Sequence, residues 1–258
     1  MLEEILAATR RRLPELERRA DDVIREATEA RPVPSLAGAL AGPGLEVIAE
    51  VKRRSPSRGE LAPDLDPVAR ATSYARGGAA AISVLTEPEY FSGSPTDLTS
   101  VVEATGLPVL RKDFIVSPVQ VWEGRAWGAA AVLLIVAALD DDDLRTLITT
   151  ASEAGIEALV EVHTTDEAKR AVASGATLVG ANNRDLDDFR VDLATAEAIA
   201  PHLGDVPVTV AESGIFTAAD ASRMAAAGYD AVLVGEALVR SGDPAALVDE
   251  LRIRAVSR

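Results

Sequence analysis

The chain has 258 residues, no cysteine and a formal net charge of −15 at pH 7. The lack of cysteine excludes disulfides, zinc–thiolate sites and thiol nucleophiles, and the acidic surplus argues against a nucleic-acid or membrane partner. The longest apolar run, 129–139, is too short to span a bilayer, and the N-terminus lacks the apolar stretch of a secretion signal, so a cytoplasmic protein is predicted.

Residues 1–44 are predicted to be a helical extension and a linker ahead of the main fold. Apolar residues recur at helical spacing over 2–29, which predicts one or two helices with a break at Pro14. The stretch 31–44 contains three Pro and three Gly, which is typical of a loop. No composition break divides the remainder, 45–258, which is therefore predicted to form one domain.

Within 45–258, short apolar runs of strand length alternate with segments of helical spacing. Helices are predicted over 66–76, 118–127, 140–154, 165–173 and 218–227, and most of the helical segments end at a glycine, where a left-handed residue is least costly. Eight strands are predicted, over 45–51, 80–85, 107–111, 131–136, 157–162, 177–181, 206–211 and 230–234.

Strands that are apolar on both faces and alternate with helices indicate a parallel sheet covered on both sides. Eight such units in about 250 residues favour a single closed (β/α)8 TIM barrel. A doubly wound open sheet remains the alternative.

The residues at the strand ends carry the chemistry, because functional side chains of such a barrel project from the carboxyl ends of its strands. Glu50 and Lys52 end the first strand and are two apart, so both should face the barrel mouth. Lys112 ends the third strand, Glu161 the fifth and Glu212 the seventh. Buried charge is costly unless it is paired, so this ring is a candidate active site.

Lysine is scarce, which singles out two of these positions. Of 26 basic residues only three are lysines, and two of them, Lys52 and Lys112, lie at strand ends. Arginine holds its proton near neutrality, whereas a desolvated lysine can be tuned to act as an acid. Proton transfer or a phosphate contact is therefore predicted at these two positions.

Glycine-bearing turns follow the last two predicted strands, at Ser213-Gly214 and at Gly235-Glu236. Backbone N–H groups in such turns form the phosphate site of many barrels. Because a carboxylate would repel phosphate, we expect the backbone of Glu236, and not its side chain, to face the ligand.

Three other polar features have structural interpretations. Asp140–Asp143 precede a predicted helix and are expected to cap it rather than bind a metal. His163 follows Glu161 but is not expected to share its face, which favours a packing or supporting role over catalysis. His202 is read as a loop residue.

Eight segments, in order, resemble the indole-3-glycerol-phosphate synthase family. They are IAEVKRRSPS (48–57), ISVLTEPEYFSGS (82–94), LRKDFIV (110–116), LLIVAAL (133–139), LVEVH (159–163), GANNRDL (180–186), VAESGI (210–215) and VLVGEAL (232–238). The resemblance implies a carboxy-lyase of tryptophan biosynthesis. Its reaction converts 1-(2-carboxyphenylamino)-1-deoxyribulose 5-phosphate to indole-3-glycerol phosphate, releasing carbon dioxide and water.

The resemblance also implies roles for the site residues. Lys112 would be the general acid of ring closure, and Glu161 the acid/base partner in dehydration, assisted by Lys52 and Glu50. Ser55, Asn182 and Arg184 would lie near the substrate carboxylate and hydroxyls, and Glu212 would contact its nitrogen or a hydroxyl. Phe114 would pack on the aromatic ring, and Leu133 and Leu233 would line the apolar pocket. Phosphate would be bound by Lys52, Ser213, Gly214, Gly235 and Glu236.

No metal or cofactor is implied, since regained aromaticity drives decarboxylation. The expected partner is a small phosphorylated substrate, and the chain is expected to be a monomer or a weak homodimer. The neighbouring isomerase of the pathway uses a cysteine base, which this chain lacks. A catalytically altered or inactive barrel that still binds a phosphate ligand is the alternative.

Overall fold

The computed structural model describes residues 1–56, 59–186 and 188–254. Ser57, the last residue of the first quoted segment, and residues 255–258 of the predicted domain lie outside these ranges. In the described part of the chain, eight parallel strands close into a barrel in sequence order. The barrel strands are β1 (Glu46–Val51), β2 (Ala81–Leu85), β3 (Val109–Lys112), β4 (Ala131–Ile135), β5 (Glu157–Val162), β6 (Leu178–Asn182), β7 (Val208–Glu212) and β8 (Ala231–Val234).

The closure decides between the two predicted architectures. β1 pairs with β8 from Glu46↔Ala231 to Ala49↔Val234, and with β2 on its other side, so β1 has a neighbour on both sides. The (β/α)8 barrel is therefore confirmed and the open sheet was wrong. Each predicted strand lies within two residues of the observed one. The largest differences occur at Pro108 and Pro207, because a proline cannot donate to the ladder and the strand starts after it.

Helices flank the barrel and join its strands. The five predicted helices are confirmed, and Asp140 caps one of them by accepting hydrogen bonds from the backbone N–H groups of Asp142 and Asp143. The helices are α1 (Leu2–Glu17), α2 (Ala20–Glu29), α3 (Leu36–Leu40), α4 (Pro67–Arg76), α5 (Pro88–Phe91), α6 (Pro95–Thr105), α7 (Pro118–Ala126), α8 (Asp141–Glu153), α9 (Thr165–Ala173), α10 (Ala194–Ile199), α11 (Ala218–Ala226), α12 (Glu236–Arg240) and α13 (Pro244–Leu251). Arg54–Ser55 and Gly59–Glu60 form a short antiparallel pair after β1.

The N-terminal segment differs from the prediction in two places. Helix α1 continues through Pro14 to Glu17, so the predicted break was wrong. Pro14 and Arg10, whose carbonyl loses its helical partner, are both exposed, so water can satisfy that carbonyl.

The stretch predicted as a loop contains helix α3, which closes the amino-terminal end of the barrel. Leu36 and Leu40 are fully buried against interior residues of the strands. Glu157, at the start of β5, accepts hydrogen bonds from Ser35 Oγ at 2.7 Å, Leu36 N at 2.6 Å and Ala37 N at 2.9 Å. Glycine and proline content alone did not predict a helix that depends on an acceptor 120 residues away.

Candidate active site

The charged layer of the barrel interior comes from alternate strands. Side chains two apart on a strand share a face, and odd-numbered strands of such a barrel contribute to the same layer. The apolar layer beneath consists of Ile48, Leu110, Leu159 and Val210. One step further toward the carboxyl end, the same four strands present Glu50, Lys112, Glu161 and Glu212. The predicted ring is thus the last layer of the barrel core, in which charged side chains replace the aliphatic ones of the layer beneath.

Lys112 lies at the centre of this layer, between two buried carboxylates. Its Nζ donates to Glu161 Oε2 at 2.7 Å and to Glu212 Oε2 at 3.0 Å. Burial alone would lower the pKa of Lys112, but the charges of Glu161, Glu212 and Glu50 outweigh it and raise the pKa above its usual value. The lysine therefore holds its proton.

The two carboxylates respond differently to burial. For Glu161, the opposing charges of Lys112 and His163 outweigh desolvation and hold its pKa well below the usual range. For Glu212, desolvation dominates and raises the pKa above that of an ordinary glutamate, with the neighbouring Glu161 adding to the rise. Oε1 of Glu212 is buried against Gly180 and has no hydrogen-bond partner among the described residues.

Glu50 and Lys52 share a face, as predicted, and form an ion pair at the barrel mouth. Gly235 lies against them, because a Cβ on this residue would be 2.3 Å from Glu50 Oε1 and 3.1 Å from Lys52 Nζ. Gly180 has the same relation to Glu212, whose Oε1 would be 2.2 Å from a Cβ there. Two glycines of the barrel wall thus provide the space that two of the carboxylates occupy.

One cavity of about 170 Å³ opens over the charged layer at the carboxyl ends of the strands. All of the predicted site residues line it, namely Glu50, Lys52, Ser55, Lys112, Phe114, Leu133, Glu161, Asn182, Arg184, Glu212, Ser213, Gly214, Leu233, Gly235 and Glu236. Its walls are largely apolar, with polar side chains in the charged floor, after β1 and β3, and in the turns that follow β6, β7 and β8. Such a cavity suits a ligand with an aromatic part and several polar groups.

The predicted phosphate turns have strained or glycine-dependent backbones. Ser213 has φ +64° and Gly214 φ +82°, a left-handed pair that is costly for serine and free for glycine. Asn183 secures this turn, since its Nδ2 donates to Ser213 O at 3.1 Å. Glu236 turns its carboxylate along helix α12 to Arg240, whose Nε lies 3.2 Å from Oε1.

Sequence reasoning missed the apolar roof of the cavity. Met1, Leu2 and Ile5 of helix α1 line it, as do Phe91 and Phe216. Phe91 packs on Phe114 with ring centroids 6.1 Å apart. The alternating apolar pattern of α1 indicated a buried face, but no local signal showed that this face covers the barrel mouth.

Ion pairs hold helix α1 in this place. Arg12 lies 3.4 Å from Glu87, whose carboxylate is fully buried, and 3.7 Å from Glu89. Glu87 also caps helix α5 by accepting from three backbone N–H groups, which fixes the helix that carries Phe91. The N-terminal extension and the loop after β2 thus cover the mouth of the barrel together.

His163 corrects another expectation. It shares the face of Glu161, with Nε2 3.3 Å from Glu161 Oε1, whereas the sequence reading placed the two on different faces. Residues two apart at a strand end point the same way, and that alternation was the signal available.

In the described ranges, no group of three or more His, Cys, Asp or Glu side chains is arranged to hold a metal ion. The part of the chain that the structure describes also contains no helix long and apolar enough to cross a membrane.

Comparison with known proteins places this geometry in a family. The sequence profile of indole-3-glycerol phosphate synthase matches residues 2–251. The chain belongs to the indole-3-glycerol phosphate synthase family. It is 52% identical over 231 residues to the indole-3-glycerol phosphate synthase of Mycolicibacterium smegmatis, covering 89% of this chain and 85% of the relative. It is 45% identical to the Lactiplantibacillus plantarum enzyme of the same name, with 98% of each chain covered.

Solved structures support the fold alone. A 3-hexulose-6-phosphate synthase from Salmonella typhimurium superposes with a TM-score of 0.65 at 16% identity, over 80% of this chain and 96% of that one. A thiamine phosphate pyrophosphorylase from Pyrococcus furiosus gives a TM-score of 0.59 at 20% identity, over 80% and 93%.

Proposed function

We propose that this protein converts 1-(2-carboxyphenylamino)-1-deoxyribulose 5-phosphate to indole-3-glycerol phosphate with release of carbon dioxide and water. Membership of the indole-3-glycerol phosphate synthase family supports this activity. The observation that carries it structurally is the buried Lys112, charged and within hydrogen-bond reach of two carboxylates on the floor of a largely apolar cavity.

Lys112 is proposed as the general acid of ring closure. As the aromatic carbon that bears the carboxylate attacks the ketone carbon, the ketone oxygen takes the Lys112 proton and becomes a hydroxyl. The carboxylate then leaves as carbon dioxide, and the electron pair of that bond restores the aromatic ring. Glu161 and Glu212 keep Lys112 charged and so oppose the transfer, which implies that the substrate must displace at least one of them.

Glu161 is proposed as the acid/base partner in dehydration. The new hydroxyl leaves as water with a proton from Lys52, and the proton lost from the adjacent carbon passes to Glu161, which completes the indole. The low pKa of Glu161, set by Lys112 and His163 against its burial, keeps it ionised and able to accept a proton. Glu50 and Lys52 are proposed to assist this step from β1, on the opposite side of the barrel.

Binding is proposed to divide between the cavity walls and the turns. Phe114 would pack on the ring, Leu133 and Leu233 would line the apolar pocket, and the carboxylate of Glu212 would contact the substrate nitrogen or a hydroxyl. Ser55, Asn182 and Arg184 would bind the carboxylate and hydroxyls.

The phosphate would lie at the other side of the mouth. Lys52 is proposed to bind it together with the turns of Ser213-Gly214 and Gly235-Glu236. The pairing of Glu236 with Arg240 reduces the repulsion that this carboxylate would exert.

The activity is tested by incubating the full chain with 1-(2-carboxyphenylamino)-1-deoxyribulose 5-phosphate, without added metal. Indole fluorescence and released carbon dioxide are measured together. We expect one carbon dioxide for each indole-3-glycerol phosphate. Retained substrate binding with neither product would contradict the proposal and favour the inactive phosphate-binding barrel. The cytoplasmic location, the monomeric or weakly dimeric state and the independence from metals and cofactors stay predictions.

A further inference from the structure

A histidine and a glutamate lie directly behind Glu161, and only the charge of the histidine enters the steps proposed above. His163 follows β5, and its side chain is only 7% exposed. Its Nε2 lies 3.3 Å from Glu161 Oε1, and its Nδ1 lies 3.3 Å from Glu167 Oε2. The three side chains form a row from helix α9 to the floor of the cavity.

The local sequence fixes the ring of His163. Thr164 caps helix α9 by accepting from Glu167 N at 3.1 Å. Glu167 reaches back in turn, and its Oε2 accepts from His163 N at 2.7 Å. This reciprocal cap places the Glu167 carboxylate beside the imidazole. Capping needs only the backbone N–H of residue 163, which any residue other than proline supplies, so the cap does not account for the ring.

Both oxygens of Glu161 face a cation. Oε2 accepts from Lys112 at 2.7 Å, and Oε1 faces His163. Burial would lower the pKa of His163, but hydrogen bonding to Glu161 and Glu167 outweighs it and raises the pKa to about 9. The imidazole is therefore charged at neutral pH. No other described residue lies at hydrogen-bond distance from Nε2, so Glu161 is the group that this nitrogen faces.

We propose that His163 is a positioning residue: held by Glu167, its ring fixes the orientation and the ionised state of the Glu161 carboxylate for the dehydration step. The inference rests on the proposed function and deepens it. His163 would act on the reaction through Glu161, because its side chain lies behind the cavity wall.

The test compares three variants of the full chain with the wild type. His163→Asn removes Nε2, whereas His163→Gln keeps an N–H donor at about the same reach but carries no charge. His202→Asn, the same substitution at an exposed position, is the matched control. The values of kcat and KM and the pH profile of kcat are measured for each, together with the thermal midpoint.

For His163→Asn we expect kcat to fall about tenfold or more, within the range of general acid–base contributions, with KM changed less than about twofold. The titratable groups around this pair are Glu161 and Glu167, which face His163, and Lys112 and Glu212, which lie beside Glu161. Loss of the cation should move the acid limb of kcat up by about one pH unit, because an opposite charge lowers a carboxyl pKa.

The glutamine variant separates orientation from charge. It should recover kcat on the plateau to within about threefold of wild type while its acid limb remains displaced. Wild-type kcat and acid limb in His163→Asn would overturn the inference. So would a His163→Gln variant as slow as His163→Asn with the same loss of stability, since the ring would then only pack.

If the asparagine variant does not fold, Glu167→Gln is measured instead, because it leaves the ring in place but weakens its hold. A several-fold lower kcat at unchanged KM is expected, and wild-type kcat there would overturn the inference. Failure of the wild type itself to turn over substrate would instead refute the proposed function, so the two failures are distinguishable.

Discussion

Gly180→Ala tests whether catalysis depends on the position of the Glu212 carboxylate that the structure shows. A methyl group at residue 180 would lie 2.2 Å from Glu212 Oε1 and 3.2 Å from its Cδ. Ordinary contacts are longer by about 1 Å or more, so the carboxylate must retreat by roughly that distance. Its Oε2 is held by Lys112 at 3.0 Å, so the retreat also disturbs the proposed acid.

A misplacement of about 1 Å in a catalytic site can reduce the rate about 100-fold. We therefore expect kcat/KM of Gly180→Ala to fall about 100-fold, the size of 2.7 kcal/mol in transition-state stabilisation. Overpacking at a buried position should also lower the free energy of unfolding by about 1–3 kcal/mol. Steady-state turnover and urea denaturation measure the two effects.

Two further variants make the interpretation firm. Gly42→Ala is the control, because nothing lies within 4 Å of a Cβ at that position. It should keep wild-type activity and stability. Gly180→Ala combined with Glu212→Asp should regain the lost stability, since the shorter side chain no longer meets the methyl group. Wild-type kcat/KM in a folded Gly180→Ala would refute the reasoning.

Gly235→Asp should raise KM for the phosphorylated substrate and lower kcat, because a side chain there meets the turn and displaces Glu50; an unchanged KM would place the phosphate elsewhere. Glu157→Ala removes an acceptor of three hydrogen bonds at the amino-terminal end of the barrel. It should lower the free energy of unfolding, measured by urea denaturation, by about 1–3 kcal/mol and leave kcat unchanged. Equal stability would contradict the role given to helix α3. The raised pKa of His163 should stabilise the fold fully below about pH 6.5 and lose this effect as pH rises through about 9, by at most about 3 kcal/mol. His163→Asn should lack that pH dependence of unfolding, and an unaltered dependence would show that another group causes it.

The barrel could be predicted because its signals are local and repeated. Each unit carries its own apolar strand, helical spacing and terminal glycine, and the positive φ of Gly155 and Gly175 confirms two such helix ends. Helix α3 could not be predicted in this way. It is five residues long, and its cap is completed by Glu157, which is distant in sequence.

The floor of the candidate site could be predicted, and its surroundings could not. Strand ends and two-residue alternation place Glu50, Lys112, Glu161 and Glu212 in one layer without knowledge of any distance. The space that Gly180 leaves for Glu212 depends on contact between neighbouring strands. The protonation of Lys112 depends on two carboxylates that lie 49 and 100 residues away in the sequence, so local sequence does not determine its pKa.

The central claim is that the Lys112 proton closes the indole ring, and Lys112→Arg tests it most directly. Arginine keeps the positive charge but holds its proton too firmly to donate it. Turnover is followed by indole fluorescence and substrate affinity by calorimetry, with the exposed Lys169→Arg as the matched control. We expect Lys112→Arg to bind substrate with near wild-type affinity while kcat falls about 100-fold or more. Wild-type turnover by Lys112→Arg would contradict the claim.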